Sequence, residues 1–258
     1  EIACKEDDTR LKTFADNQFY GRFLELPADV VGYNRYFGWY KEAGSAENFG
    51  EWLDLYHNEK EKRPVCLSEY GGGGAISQHK DNVDWESDID PVGVRHYENY
   101  QSQLHEILWK QFSVRKYLWA EFIWCMFDFA SYGRTEGDTK SLNDKGLCTR
   151  ERIPKDVYFF YRSVWSSEKT VYITERRHEF RACDVPFVKV YSNADAVELC
   201  INDVSHGRIS RCELPNDEST VFVWENIKIK PDTKNKICAK AYCSDRTSRT
   251  DYAFWTGK

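Results

Sequence analysis

Apolar residues along the first part of the chain switch between a strand-like and a helix-like period. Residues 29–36, Asp29-Val30-Val31-Gly32-Tyr33-Asn34-Arg35-Tyr36, form a β-rich run that ends in polar side chains. Residues 46–62 then place Phe49, Trp52, Leu53 and Tyr56 at helical spacing. A second strand, Pro64-Val65-Cys66-Leu67-Ser68-Glu69, stops at the glycine run 71–74. A long helix is predicted over residues 94–114, with Tyr97, Tyr100, Leu104, Leu108 and Phe112 on one face. Residues 117–129 form a third strand, apolar nearly throughout, as expected of a strand buried on both faces. Lys12-Thr13-Phe14-Ala15 is a weaker strand at the start. Strand–helix–strand–helix–strand is the repeat of a parallel sheet. Three or four such units make part of a (β/α)8 barrel. An open doubly wound sheet fits the same pattern, but no G-x-G-x-x-G or phosphate-binding loop follows any strand.

The helical period vanishes after Trp165. Short strands are predicted at 171–174, 187–192, 197–202, 220–224, 236–243 and 252–255, separated by turn-rich stretches such as 215–217 and 231–233. The expected fold is therefore α/β followed by all-β. Residues 1–168 form a partial (β/α)8 barrel, and residues 169–258 form an immunoglobulin-like β-sandwich.

Composition narrows the possibilities. Charged residues at 30% and hydrophobic residues at 41% mark a globular chain. A net charge of −6 without a basic stripe argues against nucleic acid as a partner. No apolar run is long enough to span a bilayer, so no membrane partner is expected. Aromatics reach 16%, which fits core packing and also fits stacking on sugar faces. The nine cysteines are scattered without a C-x-x-C pair, so no zinc ribbon is expected. Cys66 and Cys125 lie in apolar runs and read as buried free thiols. A disulfide among Cys183, Cys200, Cys212, Cys238 and Cys243 stays open. His57 and His105 fall on helices, with surface or helix-face roles as the default, and no metal site or cofactor is expected. Residues 81–90 read as a solvated acidic loop.

Functional residues of a parallel barrel gather at the C-terminal strand ends. Glu69 ends the second strand, shares a face with Val65 and Leu67, and precedes four glycines. It is either a nucleophilic carboxylate or an ordinary surface glutamate. Asn34 and Tyr36 share a face of the first strand. The Tyr36 phenol either donates to a nearby carboxylate or plugs the barrel. Trp124 lies near the barrel mouth as a sugar platform or as core. Glu121 has the opposite parity and is discounted as a second catalytic carboxylate.

At these residues the chain resembles family 2 glycoside hydrolases. Residues 30–40 resemble the strand-six segment, Leu67-Ser68-Glu69-Tyr70-Gly71 the nucleophile motif on strand seven, and residues 122–129 the strand-eight motif. Residues 142–147 with Arg150, 154–156 and 160–161 resemble the barrel's end, and 190–193 with 197–199 the following β-domain. The resemblance implies strands five to eight of the barrel, Glu69 as nucleophile, Tyr36 as its hydrogen-bond donor, and Trp124 and Asn34 at the sugar. Cys125 stands where an asparagine is common and Glu121 where a small residue is common. Asn143-x-Lys145 fits the family's pattern for a uronate carboxylate, yet similar segments occur in galactosidase-like members.

Retaining hydrolysis needs two carboxylates roughly 5–5.5 Å apart. The family's acid/base is a glutamate after an asparagine on strand four, and no equivalent pair sits at a strand end here. The expected substrate is a β-linked oligosaccharide or glycoside, a β-galactoside first and a β-glucuronide second. The expected partner is a missing N-terminal part of the same protein, or a second copy. A bacterial periplasmic or extracellular location fits. The rival from another class is a non-catalytic carbohydrate-binding or structural module. Exposure of Trp224 and Trp255 would favour binding, and their burial would favour bracing.

Overall fold

The computed structural model describes residues 2–17, 28–215 and 220–258. Four strands pair in parallel in chain order: β1 (Ala15–Asp16), β2 (Val31–Asn34), β3 (Val65–Tyr70) and β4 (Leu118–Ile123). The helices are α1 (Ile2–Glu6), α2 (Phe49–Leu55), α3 (Trp85–Asp88), α4 (Glu98–Phe112) and α5 (Asp156–Trp165). This is half a barrel: among the described residues, β1 and β4 are its outer margins. The strand predicted over 12–15 forms at Ala15–Asp16 instead. No helix among the described residues is long and apolar enough to cross a membrane.

The sheet and helices share one core. Val31, Val65, Leu67 and Tyr70 of the strands are buried with Leu104, Leu108 and Phe112 of α4, which recur every fourth residue. Helix α4 begins four residues later than the pattern predicted, because its N-cap Tyr97 is extended and forms a parallel bridge with Ala75. Helix α2 runs on into a π-turn at Tyr56–Lys60. Two environments correct the sequence reading. His105 is fully buried rather than on a surface face, and Cys125 is only half-buried. The acidic loop is not wholly solvated: Asp88 is buried, and Asp84 caps α3 by accepting from the Glu86 amide at 2.9 Å.

Strand β4 also departs from expectation. It spans six residues, and Trp119 and Phe122 are 44% and 52% exposed. Its apolar composition answers to neighbours on both faces, but in this half-barrel it is an edge. The chain then turns through a cis Trp124–Cys125 peptide into a short hairpin of β5 (Phe129–Ala130) and β6 (Leu142–Asn143).

The C-terminal part holds two sheets. One contains β7 (Val171–Ile173), β9 (Asp184–Ser192) and β12 (Val221–Lys228) in the order β12-β9-β7. The other contains β8 (Phe180–Arg181), β10 (Ala196–Ile201), β11 (Val204–Ser210), β13 (Lys234–Tyr242) and β14 (Ser248–Gly257) in the order β11-β10-β13-β14-β8. Their inner faces share one core with Val188, Val190, Leu199, Phe222, Ile237 and Trp255. Trp224 and Trp255 are buried in it, at 6% and 1% exposure, so neither is a surface sugar platform. The nine cysteines are all free thiols. The turn expected at 215–217 falls mostly outside the described residues.

Polar bonds tie the two parts together. Buried Asp156 of α5 accepts from the Tyr172 hydroxyl at 2.6 Å and from the Glu175 amide at 2.5 Å. Arg177 reaches back to Glu98 of α4 at 2.7 Å.

Candidate active site

The β2–β3 register places Asn34 opposite Glu69, so both residues reach the C-terminal rim of the sheet. Glu69 is anchored through its backbone: its carbonyl accepts from the Arg35 amide at 2.9 Å. After β2 ends at Asn34, the chain turns and brings the Tyr36 ring back over the rim. The Tyr36 hydroxyl donates to Glu69 Oε2 at 2.6 Å. Burial, and then the bond to Glu69, push the Tyr36 phenol far above its ordinary range. Tyr36 is thus a fixed donor aimed at one carboxylate oxygen of Glu69.

Asn34, Tyr36, Tyr40 and Glu69 line a cavity of about 260 Å³, together with Asn17, Glu42 and Ala43. Larger grooves of about 590 and 570 Å³ lie along α5 and residues 162–171. Size favours those grooves, but chemistry favours the smaller cavity, which alone among the three holds a carboxylate bonded to a phenol.

The other sequence-predicted residues divide. Asn34 lines the cavity, although its Oδ1 accepts from Ser68 Oγ at 2.7 Å. Asn143 is buried, and its Oδ1 accepts from the Lys145 amide at 3.1 Å, so it shapes the backbone that presents Lys145. The Lys145 side chain is buried. Its Nζ donates to the Tyr40 hydroxyl at 3.2 Å and lies 5.3–5.8 Å from the ring centres of Tyr36, Trp39 and Tyr40. Trp124 does not line the cavity. Its amide bonds to the Tyr70 carbonyl at 3.0 Å, which keeps it at the same rim, where its ring meets Phe129 edge-on at 5.7 Å. Glu121 interacts with Cys66, Tyr70 and Tyr161, on the helix-facing side of the sheet.

Sequence reasoning missed Tyr40. It stands four residues after Tyr36, packs edge-on against it at 5.4 Å, and links the cavity to Lys145. It also missed the supports behind the rim. Asp144 accepts from His96 Nδ1 at 2.6 Å; burial is the largest single influence and pushes its carboxyl up, but the His96 bond and the charges of His96, Lys155 and Lys145 together bring the net shift downward. Lys155 pairs with Asp128 at 2.8 Å and donates to the carbonyls of Gly74 and Asp144. Burial still lifts the Asp128 carboxyl to about 6. Gly71, at φ +128°, lies where a Cβ would sit 2.8 Å from the His105 ring, so only glycine lets the chain leave the rim there.

A parallel half-barrel with a polar cavity at its C-terminal strand ends defines a (β/α)8-barrel protein of the kind that carries its chemistry in the loops at that rim. Residues 1–170 match the family described as "Glycosyl hydrolases family 2, TIM barrel domain", and the chain belongs to glycoside hydrolase family 2. Residues 185–247 match a domain of unknown function, DUF4982. Over 230 residues the chain is 34% identical to a β-glucuronidase of Bacteroides fragilis, covering 88% of this chain and 31% of that protein. It is similar to the structure of an FMN-binding β-glucuronidase from Facaelibacterium prausnitzii, with TM-score 0.84 and 33% identity. It is also similar to that of a putative β-galactosidase from Bacteroides fragilis, with TM-score 0.89 and 27% identity. All of this chain and 37% of each of those chains are covered. The chain thus spans about a third of the length of these relatives.

Proposed function

We propose that this chain is the nucleophile-bearing part of a retaining β-glycosidase that acts on β-glucuronides. Glu69 attacks the anomeric carbon and forms a glycosyl ester as the aglycone oxygen leaves. Tyr36 keeps the attacking carboxylate oriented. The acid that protonates the leaving oxygen, and then takes a proton from water, comes from the rest of the barrel. The partial sheet and the one-third coverage of the relatives support that division of labour. Residues 1–168 form the catalytic unit in this reading. Residues 169–258 form an immunoglobulin-like sandwich, supported by two sheets that enclose a shared core.

The observation that carries the uronide preference is Lys145. Its ammonium is buried, has one hydrogen bond, to a tyrosine, and has no carboxylate within ion-pair distance among the described residues. The adjacent Asp144 carboxylate is turned to His96. Asp144 feels the Lys145 charge but makes no direct ion pair with it, and a buried cation without a direct ion pair bears a desolvation cost that an incoming carboxylate offsets. Tyr40 and Tyr36 connect that ammonium to Glu69, so one pyranose ring can present C1 to the carboxylate and its C6 carboxylate to the cation. A β-galactoside is the second reading, favoured by the TM-score of 0.89 to the putative β-galactosidase.

Initial rates of the full-length protein on aryl β-glucuronide and aryl β-galactoside separate the two. Lys145→Gln should cut kcat/KM on the glucuronide about a hundredfold, close to 3 kcal/mol, while galactoside rates stay within about threefold. Equal losses on both substrates would rule out the carboxylate role.

A further inference from the structure

We infer that the outer face of the five-stranded sheet is a docking surface for an acidic, uronic-acid-containing polysaccharide. The sheet alternates as a half-buried sheet must. On β13, Asn235, Ile237, Ala239 and Ala241 point into the core, while Lys234, Lys236 and Lys240 point outward. On β14, Ala253 and Trp255 point inward, while Tyr252 and Phe254 point outward. These two outer rings are 48% and 46% exposed. Phe180 extends the row from β8, which pairs with β14 through Thr256, and is 54% exposed. The core needs none of the three rings, because Trp255 and its neighbours already fill it.

Cations are interleaved with the rings. Lys234 Nζ lies 4.8 Å from the centre of the Phe254 ring, and Lys236 Nζ lies 5.5 Å from that of Tyr252. Arg208 and Lys240 flank Tyr242 at 3.6 and 5.1 Å. Two carboxylates share the face, and both are engaged: Asp203 pairs with Lys236 at 2.7 Å, and Glu198 accepts from Ser205 and Tyr242. Glu198 lies opposite Arg208 on β11 and Lys240 on β13 and is held below its ordinary range first by the Ser205 and Tyr242 bonds and then by those two cations, so four cations, Lys234, Lys236, Lys240 and Arg208, share two carboxylates. This excess of cation stands on a chain of net charge −6.

That combination selects the occupant. A neutral surface partner needs no net excess of cations, and a flexible polyanion without apolar faces gains nothing from half-exposed rings. An acidic polysaccharide matches both features. The C–H faces of its pyranose rings rest on Tyr252, Phe254 and Phe180, and its carboxylates meet the ammonium and guanidinium groups. Successive outward residues on one strand are about 7 Å apart, so Tyr252 and Phe254 support neighbouring parts of one extended chain. The cations of this surface lie within residues 185–247, which match a domain of unknown function, and the rings of Tyr252, Phe254 and Phe180 lie just outside them. Binding there needs no turnover, so the inference stands or falls independently of the catalytic reading.

The test is affinity electrophoresis of the full-length protein through gels containing polygalacturonate, neutral dextran or single-stranded DNA. Retardation by polygalacturonate alone is expected. Tyr252→Ala/Phe254→Ala should weaken it about tenfold, equivalent to about 1.4 kcal/mol. Lys234→Glu/Lys240→Glu, at exposed positions outside the core, should weaken it at least as much. The inference is overturned if polygalacturonate causes no retardation, if dextran or DNA retards the protein equally, or if both variants bind like the parent.

Discussion

Tyr36 and Glu69 meet in a hydrogen bond of 2.6 Å, and both are held by elements that leave them little freedom. Removing the hydroxyl leaves the ring packed against Tyr40 and deletes only the donor. In the full-length protein, Tyr36→Phe should lower kcat by about 10–10²-fold and leave KM within about threefold, as steady-state kinetics would show. A large rise in KM with unchanged kcat would mean that the phenol binds substrate rather than serving the nucleophile. His105 makes a second residue-scale case. Complete burial pushes its imidazole down to about 3 from an ordinary 6.5, with nearby Lys155 adding to the shift. A depressed pKa means that the unfolded chain binds the proton more readily. The stabilisation is therefore full above pH 6.5 and is lost as pH falls toward 3. Between pH 6.5 and 5 the loss should approach 2 kcal/mol, and His105→Gln should flatten that limb in urea titrations at a series of pH values. An unchanged slope in the variant would assign the acid sensitivity to other groups.

At the scale of elements, the parts with a clean period were legible in the sequence. Strand β3 runs to Tyr70, one residue past the predicted end at Glu69, and α4 buries the predicted stripe of Leu104, Leu108 and Phe112. Strand β11 was not read, because Val204-Ser205-His206-Gly207-Arg208 is exposed and polar on both faces and has no alternation. Strand β8 is two residues long, too short for any period. Tyr40 and His96 escaped because their roles depend on turns and on long-range contacts with Lys145 and Asp144 that spacing does not encode. The reading of β4 failed for a different reason. Its apolar run reflects a neighbour that this half-barrel does not supply, and Phe122 is left facing outward. Phe122→Lys should therefore reduce self-association of the isolated chain, as light scattering would show, while changing its stability by no more than about 1 kcal/mol. Unchanged association would place the sticky surface elsewhere.

At the scale of the whole molecule, the sandwich is clamped to the half-barrel by the Asp156, Tyr172, Glu98 and Arg177 contacts, but among the described residues the β1 and β4 margins have no further strand beside them. The isolated chain should therefore sediment as a dimer or larger species. It should show no more than trace glycosidase activity, because general acid–base assistance worth about 10²–10⁴-fold is missing. A stable monomer with full activity would exclude both the open-edge and the missing-acid arguments. The central claim is that Glu69 is the nucleophile, and covalent trapping in the assembled barrel tests it most directly. A 2-deoxy-2-fluoro-β-glucuronosyl fluoride is incubated with the full-length protein, and the labelled peptide is mapped. The expected result is one sugar per chain, carried as an ester on Glu69 and abolished by Glu69→Gln. A label on Glu42, Glu121 or any other carboxylate would contradict the assignment.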